Sequence, residues 1–183
     1  MFKINFGSGP LRLDGWINVD LDRGARPDVV ADLSRDMPFA SASVDYIFTE
    51  DFIASLTLAG FRHFLRESRR ILKPEGAMRV LTPDLSRLAR MYLDSPDALV
   101  ALWDRTVGVP VSTRSGCEVV NLAMELAGRF QYDSPTLVAL AADAGFEAIR
   151  VDYRKSRHAA LRELDYREPH ESVSMYHELT PSG

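Results

Sequence analysis

Thiols are almost missing from this 183-residue chain, which has one cysteine, Cys117. A lone thiol excludes an intramolecular disulfide framework and suits a reducing compartment. Long apolar runs are missing too. None approaches the roughly 20 residues of a membrane span, and the opening "MFKINF" has no signal-peptide core. These absences lead us to expect a soluble cytoplasmic protein with no membrane partner. Neither sign of charge dominates: 22 basic residues stand against 26 acidic ones, for a net charge of −4. Nothing therefore draws the chain generally toward nucleic acid or an anionic surface. His63, His158, His170 and His177 have no metal-ligand spacing and Cys117 has no partner thiol, so no metal is expected. "GSGP" does not extend to a Lys-Ser/Thr phosphate loop, and there is no Gly-x-Ser-x-Gly elbow. Kinase-like and hydrolase-like readings lose their footing. No repeat, low-complexity tract or Gly/Ser linker divides the chain, so residues 1–183 read as one domain.

What is present is a 46% hydrophobic composition, enough for a conventional core, arranged in short apolar runs. Residues 3–6, 16–19, 28–31, 44–48 and 77–81 are rich in Val, Ile, Phe and Tyr and bounded by Gly, Pro, Asp or Ser. That pattern suits strands buried on both faces of a parallel sheet. Between the fourth and fifth runs, residues 58–72 put Phe61, Phe64, Leu65, Ser68, Ile71 and Leu72 on one helical face. Arg62, Arg66, Glu67, Arg69 and Arg70 fall largely on the other, as a solvated face, and "KPEG" ends the helix. From Asp84 to Tyr132 the pattern is helical, with Ser95 and Pro96 opening one helix. Ser134 and Pro135 then open another in the same way. "FEAIRVDYRK" and "SVSMYHEL" read as closing strands. The sum is a three-layer α/β fold with a helical insert, 84–132, over the site.

Gly7 and Gly9 follow the first strand, where two residues without a Cβ let backbone approach a ligand closely. Alone, "GSG" is equally an ordinary tight turn. Asp20 ends the second strand, where a carboxylate can accept both ribose hydroxyls. Asp32 ends the third, within reach of an adenine amino group. Backbone N–H, ribose acceptor and base acceptor thus follow one another across successive strand ends, as an adenosine ligand requires.

At this point the residues resemble a known family. "INFGSGP", "GWINVDLD", "DVVADLS", "MPFASASVDYIFTEDF", "FLRESRRILKPEGAMRVLTPDL", "FQYDSPTLVALAADAGFEAIRV" and "SRHAALRELDYREPHES" are similar to segments of the class I S-adenosylmethionine-dependent methyltransferases. The likeness is to a compact bacterial subgroup, type 11-like, with a shortened first helix. The resemblance implies a Rossmann-like sheet of seven strands, mostly parallel with an antiparallel last strand. It implies S-adenosyl-L-methionine as cofactor, with Gly7, Ser8 and Gly9 along its methionine and ribose, and Asp20 on the ribose hydroxyls. Asp32 and Leu33 would sit at the adenine and Glu50 at the methionine end. The activity implied is methylation of a small-molecule acceptor, an oxygen of a saccharide or natural-product intermediate. The subgroup carries a "SEH…EH" pattern after its fourth strand, where this chain has "TEDFIAS", with Asp51 in place of the first histidine and Ala54 and Ser55 in place of the second pair. Gly128 replaces a further one.

The base must then come from elsewhere. Asp51 is either a desolvated general base or an N-cap, His158 either faces the substrate opening or is an exposed loop residue, and Asp84 is near the site or caps the next helix. Arg167 and Glu171 either close the site or pair with each other, and Tyr132 and Trp103 read as packing. Two other readings remain open: a cofactor-binding protein without methyl transfer, and a dinucleotide-dependent oxidoreductase.

Overall fold

The computed structural model describes residues 1–183. Seven strands form one sheet: β1 (Lys3–Phe6), β2 (Ile17–Asp20), β3 (Val29–Val30), β4 (Val44–Glu50), β5 (Leu72–Pro83), β6 (Phe146–Arg150) and β7 (Ser174–Pro181). Their order is β3-β2-β1-β4-β5-β7-β6. β7 runs antiparallel to both neighbours, and the other ladders are parallel. The three-layer, mostly parallel sheet expected from the sequence is therefore present. The chain first steps outward from β1 to β3 and then returns to the far side of β1 at β4. That reversal opens a crevice beyond the carboxyl ends of β1 and β4, the place where open α/β sheets bind ligands.

One face of the sheet is covered by helices α1 (Leu58–Ile71) and α5 (Ser134–Asp143). Phe61, Phe64, Leu65 and Leu72 join Ile4, Phe6, Val19, Ile47 and Val80 there in the main core, together with Leu137 and Leu140. On the other face Trp16, Phe48, Ala77, Leu81, Leu161 and Tyr176 form a smaller cluster, packed by Leu13, Val151, Tyr153 and Leu164 from irregular chain. No helix fits between β1 and β2. Two buried side-chain amides serve the loop instead: Asn5 Nδ2 donates to Leu11 O (3.1 Å) and Asn18 Oδ1 (3.0 Å), and the Leu13 N–H donates to Asn18 Oδ1 (2.8 Å). Buried loop backbone thus keeps its hydrogen bonds without secondary structure.

Helices α2 (Leu85–Asp94), α3 (Pro96–Thr106) and α4 (Gly116–Ala127) pack on one another around Leu88, Leu99, Val100, Trp103 and Val119. None of the helices is long and apolar enough to cross a membrane.

Local details differ from the sequence expectations in three places. "KPEG" follows the end of α1 as expected, but the next strand starts at Leu72 and not at residue 77, so these residues already belong to β5, and an added Cβ on Gly76 would stand 2.9 Å from Asp45 O. Asp133, not Ser134, caps α5 by accepting from the Thr136 N–H (2.9 Å), which leaves Ser134 Oγ on His177 Nε2 (2.7 Å); Ser95 makes no side-chain cap bond. The charged face of α1 is only partly solvated. Arg70 donates to Phe39 O (2.8 Å) and Met37 O (3.1 Å), Glu67 accepts from the Met37 N–H (2.7 Å), and Arg69 donates to Gly145 O (3.0 Å). These side chains fasten the loop before β4 and the chain before β6, a long-range task that helical periodicity does not reveal.

Candidate functional site

The crevice is built from three strand ends. The Gly7 and Ser8 N–H groups both donate to Val19 O (2.9 and 3.2 Å), extending the β1–β2 ladder by one turn of chain. Gly7 and Gly9 have φ of +63° and +47°, backbone that favours glycine. Their second reasons differ. A Cβ on Gly7 would lie 2.2 Å from the Phe52 ring, whereas nothing lies within 4 Å of one on Gly9. Close approach to a ligand is open at Gly9, while at Gly7 the space is already taken by Phe52. Asp20 locks this loop by accepting from the Gly9 N–H at Oδ2 (2.7 Å) and the Asp22 N–H at Oδ1 (2.8 Å). Asp32 accepts from the Ser34 hydroxyl (2.6 Å), the Ser34 N–H (3.0 Å) and Arg35 (3.1 Å), bonds that hold its carboxyl below the usual range. Gly7, Asp20, Asp32, Leu33, Asp51 and Arg129 all line one cavity of about 530 Å³.

A recess of about 150 Å³ on the other side of Gly7 holds Ser8, Glu50 and Tyr166. Glu50 accepts from the Tyr166 N–H (3.2 Å) and the Arg167 N–H (2.9 Å). Burial nonetheless pushes its pKa up to about 7, and the neighbouring Asp51 and Asp165 charges add to the rise. Ser8 is 6% exposed and its Oγ has no hydrogen-bond partner. Ser8 and Glu50 thus give this recess two polar groups, a hydroxyl and a carboxyl.

Asp51 has φ +52°, and its Oδ2 accepts from Arg167 Nε (2.9 Å). It caps no helix; Thr57 caps α1. Arg167 thus pairs with Asp51 and not with Glu171. Asp51 also borders a third cavity, about 380 Å³, walled largely by α2, α3 and α4. One carboxylate therefore stands between the strand-end cavity and the cavity under the helices.

The other two candidates lie elsewhere. Asp84 is fully buried, caps α2 by accepting from the Ser86 N–H (3.0 Å) and Ser86 Oγ (2.7 Å), and pairs with Arg150 (3.2 Å). His158 lies 3.7 Å from Glu178 and packs edge-on to Tyr46 at 5.5 Å, and burial lowers its pKa. Tyr46 precedes Glu50 by four residues, roughly 13 Å along a strand. Neither residue lines any of the three cavities. Tyr132 is core, packed on Phe61 and Phe130.

Two features escaped the sequence reading. Arg79 and Asp165 form a fully buried two-bonded ion pair, with Nε on Oδ1 at 2.7 Å and a second contact to Oδ2. Arg79 also donates to Lys155 O (2.6 Å) and Asp152 O (3.0 Å), so it pins the 152–165 segment to the sheet. Tyr166 and Arg167, which reach Glu50 and Asp51, follow Asp165 directly. The second feature joins the two departures noted in "TEDFIAS" and at Gly128. Ala54 O accepts from the Arg129 N–H (2.7 Å) and the Phe130 N–H (3.1 Å), and Gly128, at φ +107°, would place a Cβ 3.0 Å from Ser55 Cα. Small residues on one side and glycine on the other form a single backbone contact, which carries Arg129 into the strand-end cavity. Gly128→Ala is expected to destabilise the protein by about 1–3 kcal/mol through strain at that φ, read as a lower denaturant midpoint; an unchanged midpoint would show that the contact yields freely.

Residues 15–80 match a family model described as a methyltransferase domain. No curated protein matches the chain. Among solved structures, a TehB-like SAM-dependent methyltransferase from Corynebacterium glutamicum aligns over 99% of this chain and 80% of its own, with a TM-score of 0.55 at 15% identity. A SAM-dependent methyltransferase from Thermotoga maritima aligns over 98% and 81%, with a TM-score of 0.56 at 18% identity. The chain has the fold of the class I S-adenosylmethionine-dependent methyltransferases.

Proposed function

We propose that the protein is an S-adenosylmethionine-dependent methyltransferase acting on an oxygen of a small molecule. The supporting observation is the convergence of Gly7, Asp20, Asp32 and Leu33 on one cavity at the β1/β4 switch. The loop in place of a first crossover helix also fits the compact type 11-like subgroup.

The residues present fit the cofactor. Gly9 has open space above it, and the lone pairs of Asp20 not used by Gly9 and Asp22 are free for ribose hydroxyls. Leu33 would flank the adenine and Asp32 would accept from its amino group. The unpartnered Ser8 Oγ and Glu50 would take the methionine ammonium. Bound, the cofactor supplies a methyl group on a positively charged sulfur. The 84–132 helices would cover the acceptor, orient it in line and exclude water. A second reading, cofactor binding without transfer, is favoured by one observation: no histidine lines any of the three cavities.

Calorimetric titration with S-adenosylhomocysteine tests the assignment. Glu50 must be ionised to attract the ligand ammonium, and with a free-protein pKa of about 7 it is mostly neutral at pH 6 and mostly ionised at pH 8. Affinity should therefore rise roughly tenfold over that range and lose this dependence in Glu50→Gln. Absence of binding at every pH refutes the cofactor assignment, and pH-independent binding by the wild type refutes the role of Glu50. Binding without transfer to any acceptor would favour the second reading.

A further inference from the structure

On the reading that the strand-end cavity holds S-adenosylmethionine, we infer that the methyl acceptor is a phenol- or enol-class hydroxyl on an apolar ring system, seated in the 380 Å³ cavity with Asp51 as proton acceptor. This goes beyond methylation of a small molecule and decides between the two acceptor types that the sequence left open, since it excludes a bare saccharide.

Three observations carry it. The cavity adjoins the strand-end cavity at Asp51, which lines both. Its volume lies at the small end of the range of about 300–1,000 Å³ usual for ligand pockets, room for an acceptor of two or three rings. Its helical wall is apolar, with Leu88, Leu99, Leu102, Trp103, Val107 and Leu126 facing the space. The few polar groups on that wall are spent: Trp103 Nε1 donates to Val109 O (2.7 Å) and Thr106 Oγ1 to Leu102 O (2.8 Å). Each sugar hydroxyl buried there without a partner would cost about 1–3 kcal/mol, so a saccharide with several hydroxyls loses more than its burial returns. An aromatic face loses nothing. Other polar groups stand apart from that wall: Asp51 and Arg167, already paired with each other, together with Gln131 and Glu171.

The base points the same way. Asp51 is held in place by Arg167 at 2.9 Å, and a carboxylate as a class is a weaker base than the imidazole this cavity lacks. A weak base serves a hydroxyl that is itself acidic. A phenol ionises near pKa 10, against nearly 16 for bulk water, which is the better guide to an alkyl alcohol. With no histidine in the cavity, the acidity has to come from the acceptor. In the transfer, the acceptor oxygen bonds to the methyl carbon as the methyl–sulfur bond breaks and its electron pair stays on sulfur. The hydroxyl proton passes to Asp51 Oδ1 and from there to solvent. Arg167 acts as a positioning residue.

The test is calorimetry on protein saturated with S-adenosylhomocysteine, using 2-naphthol, 4-propylphenol, cyclohexylmethanol and methyl β-glucoside as probes. Both phenols should bind at least tenfold more tightly than the glucoside. Leu126 is 59% exposed and lines the cavity, so Leu126→Asp leaves the core untouched and should weaken the phenols about fivefold. With S-adenosylmethionine supplied, Asp51→Asn should keep phenol affinity within about threefold while product formation falls 100-fold or more. Equal or tighter binding of the glucoside, or equal methylation of cyclohexylmethanol and the phenols, overturns the acceptor class while leaving the cofactor reading intact. Undiminished transfer by Asp51→Asn overturns its role as base. Failure of S-adenosylhomocysteine to bind at all overturns the inference together with the reading beneath it.

Discussion

Arg79→Met is expected to lower the stability of this protein by about 3–5 kcal/mol, the largest loss from any single substitution away from the main core. Arg79 and Asp165 are both fully buried, and the guanidinium satisfies two backbone carbonyls besides the carboxylate. Removing the cation leaves a carboxylate with no counterion and only the Arg154 N–H (2.6 Å) to stabilise it. At about 2–4 °C per kcal/mol for a domain of this size, the melting temperature should fall by about 10 °C. The pair need not be favourable in itself: the desolvation of two charges is offset only by good geometry. Arg79→Met combined with Asp165→Leu should accordingly recover a large part of the loss, and a double variant no better than the single would show that the backbone bonds, not the orphaned charge, set the cost. A functional consequence follows from chain connectivity. Tyr166 and Arg167 reach Glu50 and Asp51 from the residues immediately after Asp165, so the single variant should also weaken S-adenosylhomocysteine binding at temperatures where it is still folded.

Nothing in the local sequence announces that ion pair, because its partners are 86 residues apart and share no period. What was legible was local. The run at residues 3–6 coincides with β1, and all six residues assigned to the apolar face of α1 are buried. Gly7, Asp20 and Asp32 were placed from strand ends and Leu33 from the family resemblance, and strand ends in a parallel sheet lie side by side, so one correct sheet order brings all four to one cavity. Asp51, singled out because it stands where the resembled subgroup has a histidine, lines the same cavity. Asp84 and His158 do not, since their positions depend on packing across layers: Asp84 turns inward to cap α2, and His158 lies too far back along the sheet, beside Tyr46. The contact between Gly128 and Ala54–Ser55 shows the same limit from the other side. Read singly, the small residues look unrelated, and only the structure shows that they meet in one backbone contact.

Asp20→Ala should weaken S-adenosylhomocysteine binding by roughly 30- to 1,000-fold, or about 2–4 kcal/mol, because hydrogen bonds to a charged acceptor contribute about 1.5–3 kcal/mol each and Asp20 has two tasks. It orders the glycine loop through the Gly9 and Asp22 N–H groups, and its remaining lone pairs face the cavity. The loss should fall on binding and not on the fold, since both freed N–H groups lie at a solvent-facing turn. Asp20→Asn halves both tasks. One amide oxygen still accepts one backbone N–H while the amide nitrogen faces the other donor, so one of the two loop bonds and half of the acceptor capacity toward ribose remain, and its affinity should fall between those of the wild type and the alanine variant. Asp28 is the matched control. It accepts from the Asn18 N–H, Asn18 Nδ2 and Arg12, which lower its pKa to about 2, and it lines none of the three cavities. If Asp28→Asn weakens the nucleoside as much as Asp20→Ala does, the effect is general disturbance of the β2 edge and the ribose assignment fails. If NADH binds as tightly as S-adenosylhomocysteine and is equally sensitive to Asp20, the cavity is a dinucleotide site instead, because an acidic residue on a ribose is common to both ligand classes.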